Sequence, residues 1–461
     1  MERRPHVVII GGGFGGLAAA RALASASVTV TLIDRRNHHL FQPLLYQVAT
    51  AALNPSDIAY PIRAALAKQR NTRVLLAEAK TIDVAKRRIT LDDGSLDYDF
   101  LVLATGATHS YFGKDWSHLA PGLKSVEDAL EIRRRVFLAY EAAERESDPV
   151  AQREWLTFVV VGAGPTGVEL AGALGEIGLH TLAHDFRSID PTQVRVLLYE
   201  GGDRVLSAYP PKLSEAARKS LEKRHVDVKL NTLVTRIEGN SVTVKSGDTT
   251  TTVGTRTVLW AAGVEASPLG GDLGVPRDRA GRVEVLPDLS VPGHPEIFVI
   301  GDLAKMHMAS GEQVPGVAQG ALQGGKHVGK IITAETRGKS TPAQRRAFKY
   351  WDKGNMATIG RASAVVATKR FAHHGFLAWL LWWAVHIMFL VGFRNRLLMM
   401  FHWGWSWLTF KRGARLITGQ IGPLPAVTTI GSDGKVVLPA GAATVLLDRD
   451  PPKSVAESLD V

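Results

Sequence analysis

Two glycine-rich motifs, each placed directly after a short apolar run, constrain this chain more than any other feature of its sequence. One Gly-x-Gly-x-x-Gly motif at 11–16 follows residues 6–10, and a second at 162–167 follows residues 158–161. The glycines of this pattern permit a tight strand-to-helix turn, a close backbone approach to a pyrophosphate and close helix packing. The helix N-terminus then binds the phosphates. Two such motifs predict two dinucleotides and a hydride relay between them.

An acidic residue ends the strand that is predicted after each motif. Asp34 follows the first motif and Glu200 follows the second. A carboxylate in this place accepts hydrogen bonds from a ribose diol, and because it repels a 2′-phosphate, Glu200 favours NADH over NADPH. Arg204 nearby is the residue type that accommodates such a phosphate. Residues 176–193, between the second motif and Glu200, are expected to form a helical insertion.

The order of these elements predicts an α/β fold with two doubly wound, Rossmann-like dinucleotide-binding domains. A third buried strand, predicted at 297–300, leads to Asp302, which is placed to contact a flavin. We expect a discontinuous FAD-binding domain of residues 5–115 and 290–340 around an NADH-binding domain of residues 116–289. A chain of 461 residues is long enough for two or three domains.

The absence of cysteine limits the chemistry of this chain. Disulfides and any mechanism that passes electrons through a thiol pair are excluded. This sets the chain apart from the disulfide reductases among proteins with two dinucleotide-binding domains. No calcium-binding loop of the EF-hand type occurs, and no metal site is predicted.

Residues 341–420 have a composition unlike the rest of the chain. They hold 12 lysines and arginines against one acidic residue, and seven of the ten tryptophans. Such a segment is typical of a surface that meets anionic lipid headgroups, and no nucleic-acid-binding motif accompanies it. Within it, residues 375–393 form an apolar run long enough to span a bilayer. We expect insertion into one leaflet, with a spanning helix and a buried core helix as alternatives.

These features also set expectations for location. No secretory signal or transit peptide precedes the first predicted strand, so we expect a peripheral or monotopic protein on the cytoplasmic face of a bacterial plasma membrane. Residues 341–415 are the expected membrane-anchoring region, and residues 416–461 are expected to be a loosely ordered tail. An exposed apolar C-terminal region is also compatible with a homodimer.

Three polar residues are candidates for chemistry, each with a structural alternative. Glu169 lies in the first turns of the helix after the second motif, where it either favours the helix dipole or lies near the meeting point of nicotinamide and flavin. Gln319 and Gln323 are four residues apart on one face of a predicted helix. Such a pair is usually solvated, but on an Ala- and Gly-rich helix the amides can face a pocket and donate hydrogen bonds to a quinone.

Taken together, these motifs resemble those of type II NADH dehydrogenases, the non-proton-pumping NADH:quinone oxidoreductases of bacteria. The resemblance covers residues 5 to about 412, and its most specific part is Ala-Gln-x-Ala-x-Gln at 318–323, which is similar to the quinone-site motif of that family. The other shared motifs are Gly-Gly-Gly-Phe-Gly-Gly-Leu at 11–17, Phe-Gln-Pro-Leu-Leu-Tyr at 41–46, Ala-Thr-Gly at 104–106, Gly-Ala-Gly-Pro-Thr-Gly-Val-Glu-Leu at 162–170, Trp-Ala-Ala-Gly at 260–263, Ile-Gly-Asp at 300–302 and Arg-Asn-Arg at 394–396.

The resemblance implies non-covalent FAD in the first domain, NADH in the second and a membrane quinone, menaquinone or ubiquinone, as acceptor. It also implies that Glu169 is catalytic and lies beside the nicotinamide and the flavin. The residues implied for FAD are Gly11, Gly13, Phe14, Gly15, Gly16, Asp34, Arg35, Gln42, Thr105, Gly106, Asp302, Ala318 and Gln319. Those implied for NADH are Gly162, Gly164, Pro165, Thr166, Gly167, Glu200, Ala262 and Gly263. The implied quinone contacts are Gln319, Gln323 and Tyr46.

Two other functions remain open from the sequence alone. A soluble NADH-dependent reductase of an electron-carrier protein uses the same two domains but does not need residues 341–420. A flavin-binding redox sensor keeps both nucleotides but does not turn over with quinones. Sulfide:quinone oxidoreductase, a related membrane flavoenzyme, shares the architecture but needs cysteines, which this chain lacks.

Overall fold

A computed structural model describes residues 3–308, 310–409, 413–419, 424–425, 429–430 and 436–437. The tail expected at 416–461 lies largely outside the described residues, as does the side chain of Arg394. The described residues form eleven α-helices: α1 (Phe14–Ala22), α2 (Leu45–Ala49), α3 (Pro55–Ile58), α4 (Ile62–Leu66), α5 (Val126–Arg145), α6 (Pro149–Trp155), α7 (Pro165–Glu176), α8 (Pro211–Glu222), α9 (Ala318–Thr336), α10 (Phe376–Phe389) and α11 (Phe393–Thr409).

The first glycine motif lies in a six-stranded sheet. The order across this sheet is Ser290–Val291, His294–Val299, Phe100–Leu103, His6–Ile10, Thr29–Asp34 and Thr72–Leu76. All neighbouring pairs are parallel except the edge pair that includes Ser290–Val291. The central strands are apolar throughout because both faces of a parallel sheet are covered. Residues 290–299 complete a sheet that begins at residue 6, so this nucleotide-binding unit is discontinuous in sequence.

The second glycine motif lies in a four-stranded parallel sheet of the same plan. Its order is Val226–Lys229, Arg195–Tyr199, Thr157–Val161 and Thr257–Trp260. Each unit also carries a three-stranded antiparallel sheet, formed by Ala79–Asp83, Arg88–Leu91 and Ser95–Asp97 in the first unit and by Thr232–Ile237, Ser241–Ser246 and Thr249–Gly254 in the second. Further strand pairs are His38–Leu40 with Ala59–Pro61, Val283–Glu284 with Ala304–Lys305, and Thr429–Ile430 with Val436–Val437. The predicted doubly wound α/β fold is confirmed.

The two units are joined where corresponding strands of their sheets end. Gly106 and Gly263 follow those strands with φ angles of +69° and +77°, which glycine adopts at no steric cost. The short strands that come next, Ala107–His109 and Val264–Ala266, pair antiparallel with each other. The similar small-residue endings of the two strands thus mark the connection between the units.

The apolar run at 375–393 is not one helix, contrary to expectation. Gly375, with φ +89°, separates a strand from α10, and α10 ends before Leu390, which is extended, and Gly392, which has φ +92°. Helix α10 has 14 residues and is about 21 Å long, which is shorter than the roughly 30 Å of a hydrocarbon core. Among the described residues, none of the helices combines the length and the hydropathy needed to cross a membrane.

The helical insertion expected at 176–193 is also mostly wrong. Only Ile177–Thr181, which continues α7 as a single π-helical turn, and the 3₁₀ turn Pro191–Gln193 are helical. Between them, the Glu144 carboxylate of α5 accepts hydrogen bonds from the N–H groups of residues 187–189. This side chain takes the place of helical acceptors and holds the segment as a loop.

A three-stranded antiparallel sheet that the composition did not predict precedes α10. Its strands are Asn355–Thr358, Ala364–Ala367 and Ala372–Gly375. It packs against α7 and α8 of the second unit on one side and against α10 on the other. The region expected to anchor the membrane at 341–415 therefore contains a folded sheet docked on the nucleotide-binding unit.

Helix α9 packs along α1 so closely that glycine is required at the contact. A Cβ atom on Gly325 would overlap the carbonyl oxygen of Gly15, and one on Gly329 would overlap Ala22. The neighbouring Gly324 has more room, since its Cβ would lie 3.4 Å from Leu289 Cδ1. This close approach brings the start of α9 beside the first glycine turn.

Gly325→Ala is expected to lower the free energy of unfolding by about 1–3 kcal/mol, because the added methyl group pushes α9 away from the backbone of α1. Gly324→Ala is the matched control, and it is expected to be neutral or to stabilise by up to about 1 kcal/mol, since alanine favours the helix. Urea unfolding followed by circular dichroism measures both variants. Equal stability of the two would contradict the described packing.

Candidate functional site

The first glycine turn has close backbone contacts on one side and open space on the other. Gly11 has φ +102°, and a Cβ on it or on Gly16 would overlap carbonyl oxygens. A Cβ on Gly13 would meet no atom within 4 Å. Gly13 is also the N-cap of α1, where no side chain caps the free N–H groups. The turn therefore presents backbone N–H groups to a space fitted to an anion.

The second glycine turn repeats this arrangement. Gly162 has φ +96°, and a Cβ on Gly167 would overlap the Gly162 carbonyl, whereas one on Gly164 would meet no atom within 4 Å. Pro165 occupies the first position of α7, where a backbone N–H is not needed. Thr166 is half-buried beside it. Both helix N-termini are thus built alike for a pyrophosphate.

Asp34 and Glu200 hold their turns through equivalent hydrogen bonds. The Asp34 carboxylate accepts a bond of 2.6 Å from the N–H of Gly12. The Glu200 carboxylate accepts a bond of 2.6 Å from the N–H of Ala163. Each carboxylate also accepts from the N–H two positions further along the chain. Since a carboxylate has about four lone-pair sites, each retains capacity for a ribose diol.

The ends of the first sheet supply further groups that fit a flavin nucleotide. Thr105 Oγ1 is buried and has no hydrogen-bond partner among the residues that the structure describes. Asp302 follows Gly301, which has φ +72°, and a Cβ on Gly316 would lie 3.6 Å from Asp302 Oδ1. An unpaired buried hydroxyl, a carboxylate beside a glycine and an uncapped helix N-terminus match the polar groups of FAD.

The remaining residues expected to bind FAD differ in how firmly they are packed in the first unit. The Phe14 ring packs edge-on against Phe41, with ring centroids 5.8 Å apart. Gln42 Nε2 donates a 3.4 Å hydrogen bond to the carbonyl of Lys124. Arg35 is exposed. Phe14 is therefore tied to the packing of the first unit, whereas Gln42 and Arg35 lie at its rim.

Glu169 is a buried carboxyl on α7. Its Oε1 accepts a long hydrogen bond, 3.4 Å, from the backbone N–H of Thr358. Burial raises the pKa of Glu169 to about 8. Burial also raises the pKa of the neighbouring Tyr209, with a smaller contribution from the charge of Glu169. A carboxyl whose pKa lies near neutrality is suited to hold and release a proton.

Gln319 and Gln323 bind an extended backbone segment instead of facing an open pocket. Gln319 Nε2 donates to the carbonyl of Gly354 at 2.8 Å, and its Oε1 accepts from the N–H of Lys353 at 3.2 Å. Gln323 exchanges two bonds with the backbone of Trp351, at 3.0 and 2.9 Å. The two amides therefore pair with the backbone of this segment, and their contact with a quinone stays a prediction.

Residues 351–358, which we call the bridging segment, connect the candidate residues. The segment contacts Gln323 at its start, Gln319 in its middle and Glu169 at its end. Lys353 Nζ lies 5.3 Å from the ring centroid of Trp351 and 5.3 Å from that of Phe389. The segment therefore also reaches the end of α10. Sequence reasoning missed it because it carries no recognisable motif.

Tyr46 lies on the other side of this region, buried on α2. It lines a cavity of about 110 Å³ between α2, α7 and the aromatic helices α10 and α11. Its hydroxyl is 2.8 Å from Gln47 Nε2, and Gln47 Oε1 accepts from Trp403 Nε1 at 2.8 Å. In the described part of the chain, the buried indole N–H of Trp382 on the cavity wall has no partner. The two glutamines of α9 do not line this cavity.

Two glycine turns on two nucleotide-binding units define a pyridine-nucleotide-dependent flavoprotein oxidoreductase. Residues 5–325 match the family described as pyridine nucleotide-disulphide oxidoreductase. The chain is 47% identical over 428 residues to the type II NADH:quinone oxidoreductase Ndh of Mycobacterium tuberculosis, covering 91% of each chain. It is also 47% identical to NdhA of the same organism, covering 91% of this chain and 90% of that relative.

The fold is similar to that of NDH2 from Plasmodium falciparum, solved in complex with NADH. The TM-score is 0.81 at 19% identity, and the match covers 90% of this chain and all of that chain. A second similar fold is the sulfide:quinone oxidoreductase of Aquifex aeolicus, with a TM-score of 0.66 at 20% identity, covering 85% of this chain and 92% of that chain. This chain belongs to the type II NADH:quinone oxidoreductase family. Its cofactor is FAD, its reductant is NADH, and the family is membrane-associated.

Glu169→Gln is expected to remove a pH dependence from the stability of the fold. Because the pKa in the folded state, about 8, lies above the ordinary value of 4.5, the unfolded chain ionises first as the pH rises. The native protein therefore loses about 1.4 kcal/mol of unfolding free energy per pH unit in this window through Glu169. Urea unfolding of both proteins between about pH 5 and 8 tests this. Parallel stability curves would contradict it.

Proposed function

We propose that the bridging segment couples NADH oxidation to the reduction of a membrane quinone, without proton pumping. The observation that carries the proposal is the contact of one segment with Glu169, Gln319 and Gln323. FAD, when bound, supplies a ring that accepts a hydride from NADH and passes two electrons to the quinone. The protein aligns the two nucleotides and excludes water.

The glycine turns divide the nucleotides between the units. Gly13 and the start of α1 hold the FAD pyrophosphate, and Gly164 and the start of α7 hold that of NADH. Asp34 and Glu200 accept hydrogen bonds from the two ribose groups. The carboxylate of Glu200 disfavours NADPH because it repels a 2′-phosphate. Ala262 and Gly263, where a strand of the second sheet ends, are further proposed contacts of NADH.

Glu169 is the proposed catalytic residue. Reduction of a quinone to a quinol consumes two electrons and two protons. The hydride of NADH brings both electrons and one of these protons, so one further proton is needed. With a pKa of about 8, Glu169 carries a proton on a carboxyl oxygen at neutral pH and can deliver it in the low-dielectric interior. The backbone N–H of Thr358 then stabilises the carboxylate that remains.

Gln319 and Gln323 are proposed quinone contacts beside the bridging segment. Tyr46 is a proposed contact in the separate cavity that it lines. The amides can exchange their bonds with residues 351–354 for bonds to a quinone carbonyl, since the same N–H donors serve both. Gln323 is the more accessible amide, because its bonds with Trp351 are exposed. Trp351 itself is 71% exposed, and this end of the bridging segment offers a route from the surface.

Gln323→Leu is expected to raise the KM for a short-chain quinone by about five- to tenfold, which corresponds to the loss of one hydrogen bond of about 1–1.4 kcal/mol. The rate at which NADH reduces the flavin is expected to stay unchanged. Steady-state kinetics measure the first quantity, and stopped-flow absorbance of the flavin measures the second.

Gln152→Leu is the matched control for this variant. Gln152 on α6 is likewise bonded to the backbone, since its Nε2 donates to the carbonyls of Ala143 and Glu146. Its replacement is expected to leave both half-reactions unchanged. If Gln323→Leu has the native KM for quinone, the assignment of Gln323 to the quinone site is contradicted.

We further propose that one face of α10 lies in one leaflet of the membrane. Ala378 and Trp382 face the protein, whereas Leu377 and Met388 are 64% and 65% exposed. Exposed cations, Lys369, Arg370 and Arg396, flank this helix. An apolar face with a basic rim favours a surface rich in anionic lipids, as in the cytoplasmic leaflet of a bacterial plasma membrane.

The double variant Leu377→Glu with Met388→Glu is expected to weaken binding to vesicles that contain anionic lipid by at least about tenfold, because each leucine or methionine contributes about 1.5–3 kcal/mol when buried. Leu233→Glu is the matched control, since Leu233 is 61% exposed on the sheet of the second unit. Vesicle co-sedimentation measures the binding. Unchanged binding of the double variant would contradict the assigned face.

A homodimer is the alternative use of the same apolar face. Sedimentation velocity without lipid distinguishes the two uses, because the double variant then loses self-association instead of vesicle binding. A soluble reductase of an electron-carrier protein is not favoured, since the two relatives that are 47% identical and align with 91% of this chain are quinone oxidoreductases.

A further inference from the structure

The middle residue of the first glycine turn, Gly12, is held through both of its backbone groups. Its N–H donates to Asp34, as described above. The carbonyl oxygen of Gly12 lies 3.0 Å from Nδ1 of His39. His39 is only 2% exposed. Asp34 therefore fixes the plane of the Gly11–Gly12 peptide, and His39 fixes the plane of the Gly12–Gly13 peptide. Of these two side chains, only Asp34 belongs to the known glycine motif.

The bond to His39 decides where the next N–H points. Across a trans peptide, the carbonyl of one residue and the N–H of the next point in opposite directions. With the Gly12 carbonyl directed to His39, the Gly13 N–H is directed away from it, towards the open side of the turn. Among the described residues, the Gly13 N–H has no hydrogen-bond acceptor.

The second glycine turn has the same constraint with a different donor. There the carbonyl of Ala163 accepts a 2.8 Å bond from the backbone N–H of Leu206. The middle carbonyl is thus held in both units, by a main-chain donor in one and by a side chain in the other. Because this bond recurs in both units, we infer that a fixed middle carbonyl is part of how each glycine turn keeps its conformation.

The surroundings of His39 fix its ring for this role. The ring packs edge-on against Phe14, with centroids 5.0 Å apart and an interplanar angle of 86°. Its strand, His38–Leu40, pairs with Ala59–Pro61. Burial lowers the pKa of His39 to about 4, so the ring is neutral near pH 7. Because a carbonyl oxygen only accepts, Nδ1 carries the hydrogen.

We propose that His39 is a positioning residue for FAD. Its Nδ1–H orients the Gly12–Gly13 peptide so that the Gly13 N–H meets the pyrophosphate. The proposal rests on the assignment of FAD to the first unit. Because His39 is buried and its Nδ1 serves the Gly12 carbonyl, its expected effect is on cofactor retention and not on the chemical step.

The test compares three variants of the holoenzyme. His39→Leu removes the donor, His39→Asn keeps an N–H close to the position of Nδ1, and His39→Gln keeps an amide but places it near the position of Nε2. The FAD dissociation constant is measured from the fluorescence of released flavin. We expect the FAD dissociation constant of the leucine and glutamine variants to rise by at least about tenfold, which is the size of one lost buried hydrogen bond. The asparagine variant is expected to bind FAD with near-native affinity.

His38→Leu is the control, since His38 lies on the same strand and its Nδ1 contacts Asn37 instead. The KM for NADH and the turnover per bound FAD are expected to remain native in every variant. Native FAD affinity of His39→Leu and His39→Gln, or equal losses in all three His39 variants, would overturn the proposal. If His39→Leu does not fold, the asparagine and glutamine pair decides. Failure of the native protein to bind FAD would instead overturn the underlying assignment.

Discussion

The N–H groups at the starts of α1 and α7 have no acceptors within their own helices, and the arrangement of the molecule depends on this. Each start is shaped by glycines that bring the backbone into close contact on one side and leave Gly13 or Gly164 facing open space on the other. An acidic side chain ties each turn to the adjacent strand. Two anion-binding helix termini in one chain make a protein that binds two nucleotides at once.

The bridging segment links this nucleotide machinery to the surface. It contacts Glu169 at one end, where burial keeps a carboxyl protonated near neutral pH, and it reaches exposed aromatic rings at the other. Lys353 lies between Trp351 and Phe389 there, so the segment touches the end of the apolar helix α10. Proton-holding, quinone contact and membrane contact are thus assigned to neighbouring parts of one short stretch of chain.

The glycine turns, their acids and the α/β fold could be predicted because each follows from motifs and an order of elements that are recognisable in the sequence. The break of the 375–393 run was missed because it depends on the backbone of Leu390 and Gly392, which hydropathy does not report. The loop before Glu200 was missed because its acceptor, Glu144, is distant in sequence. The partners of Gln319 and Gln323 were missed for the same reason, since their segment lies more than 25 residues away.

The central claim is that electrons pass from NADH through a bound flavin to a quinone. Anaerobic addition of NADH to the purified holoenzyme, followed by a quinone in lipid vesicles, tests it through the visible absorbance of the flavin. The account predicts that NADH bleaches the flavin and that the quinone restores it with repeated turnover. Bleaching that the quinone does not reverse, or no bleaching by NADH, would contradict it.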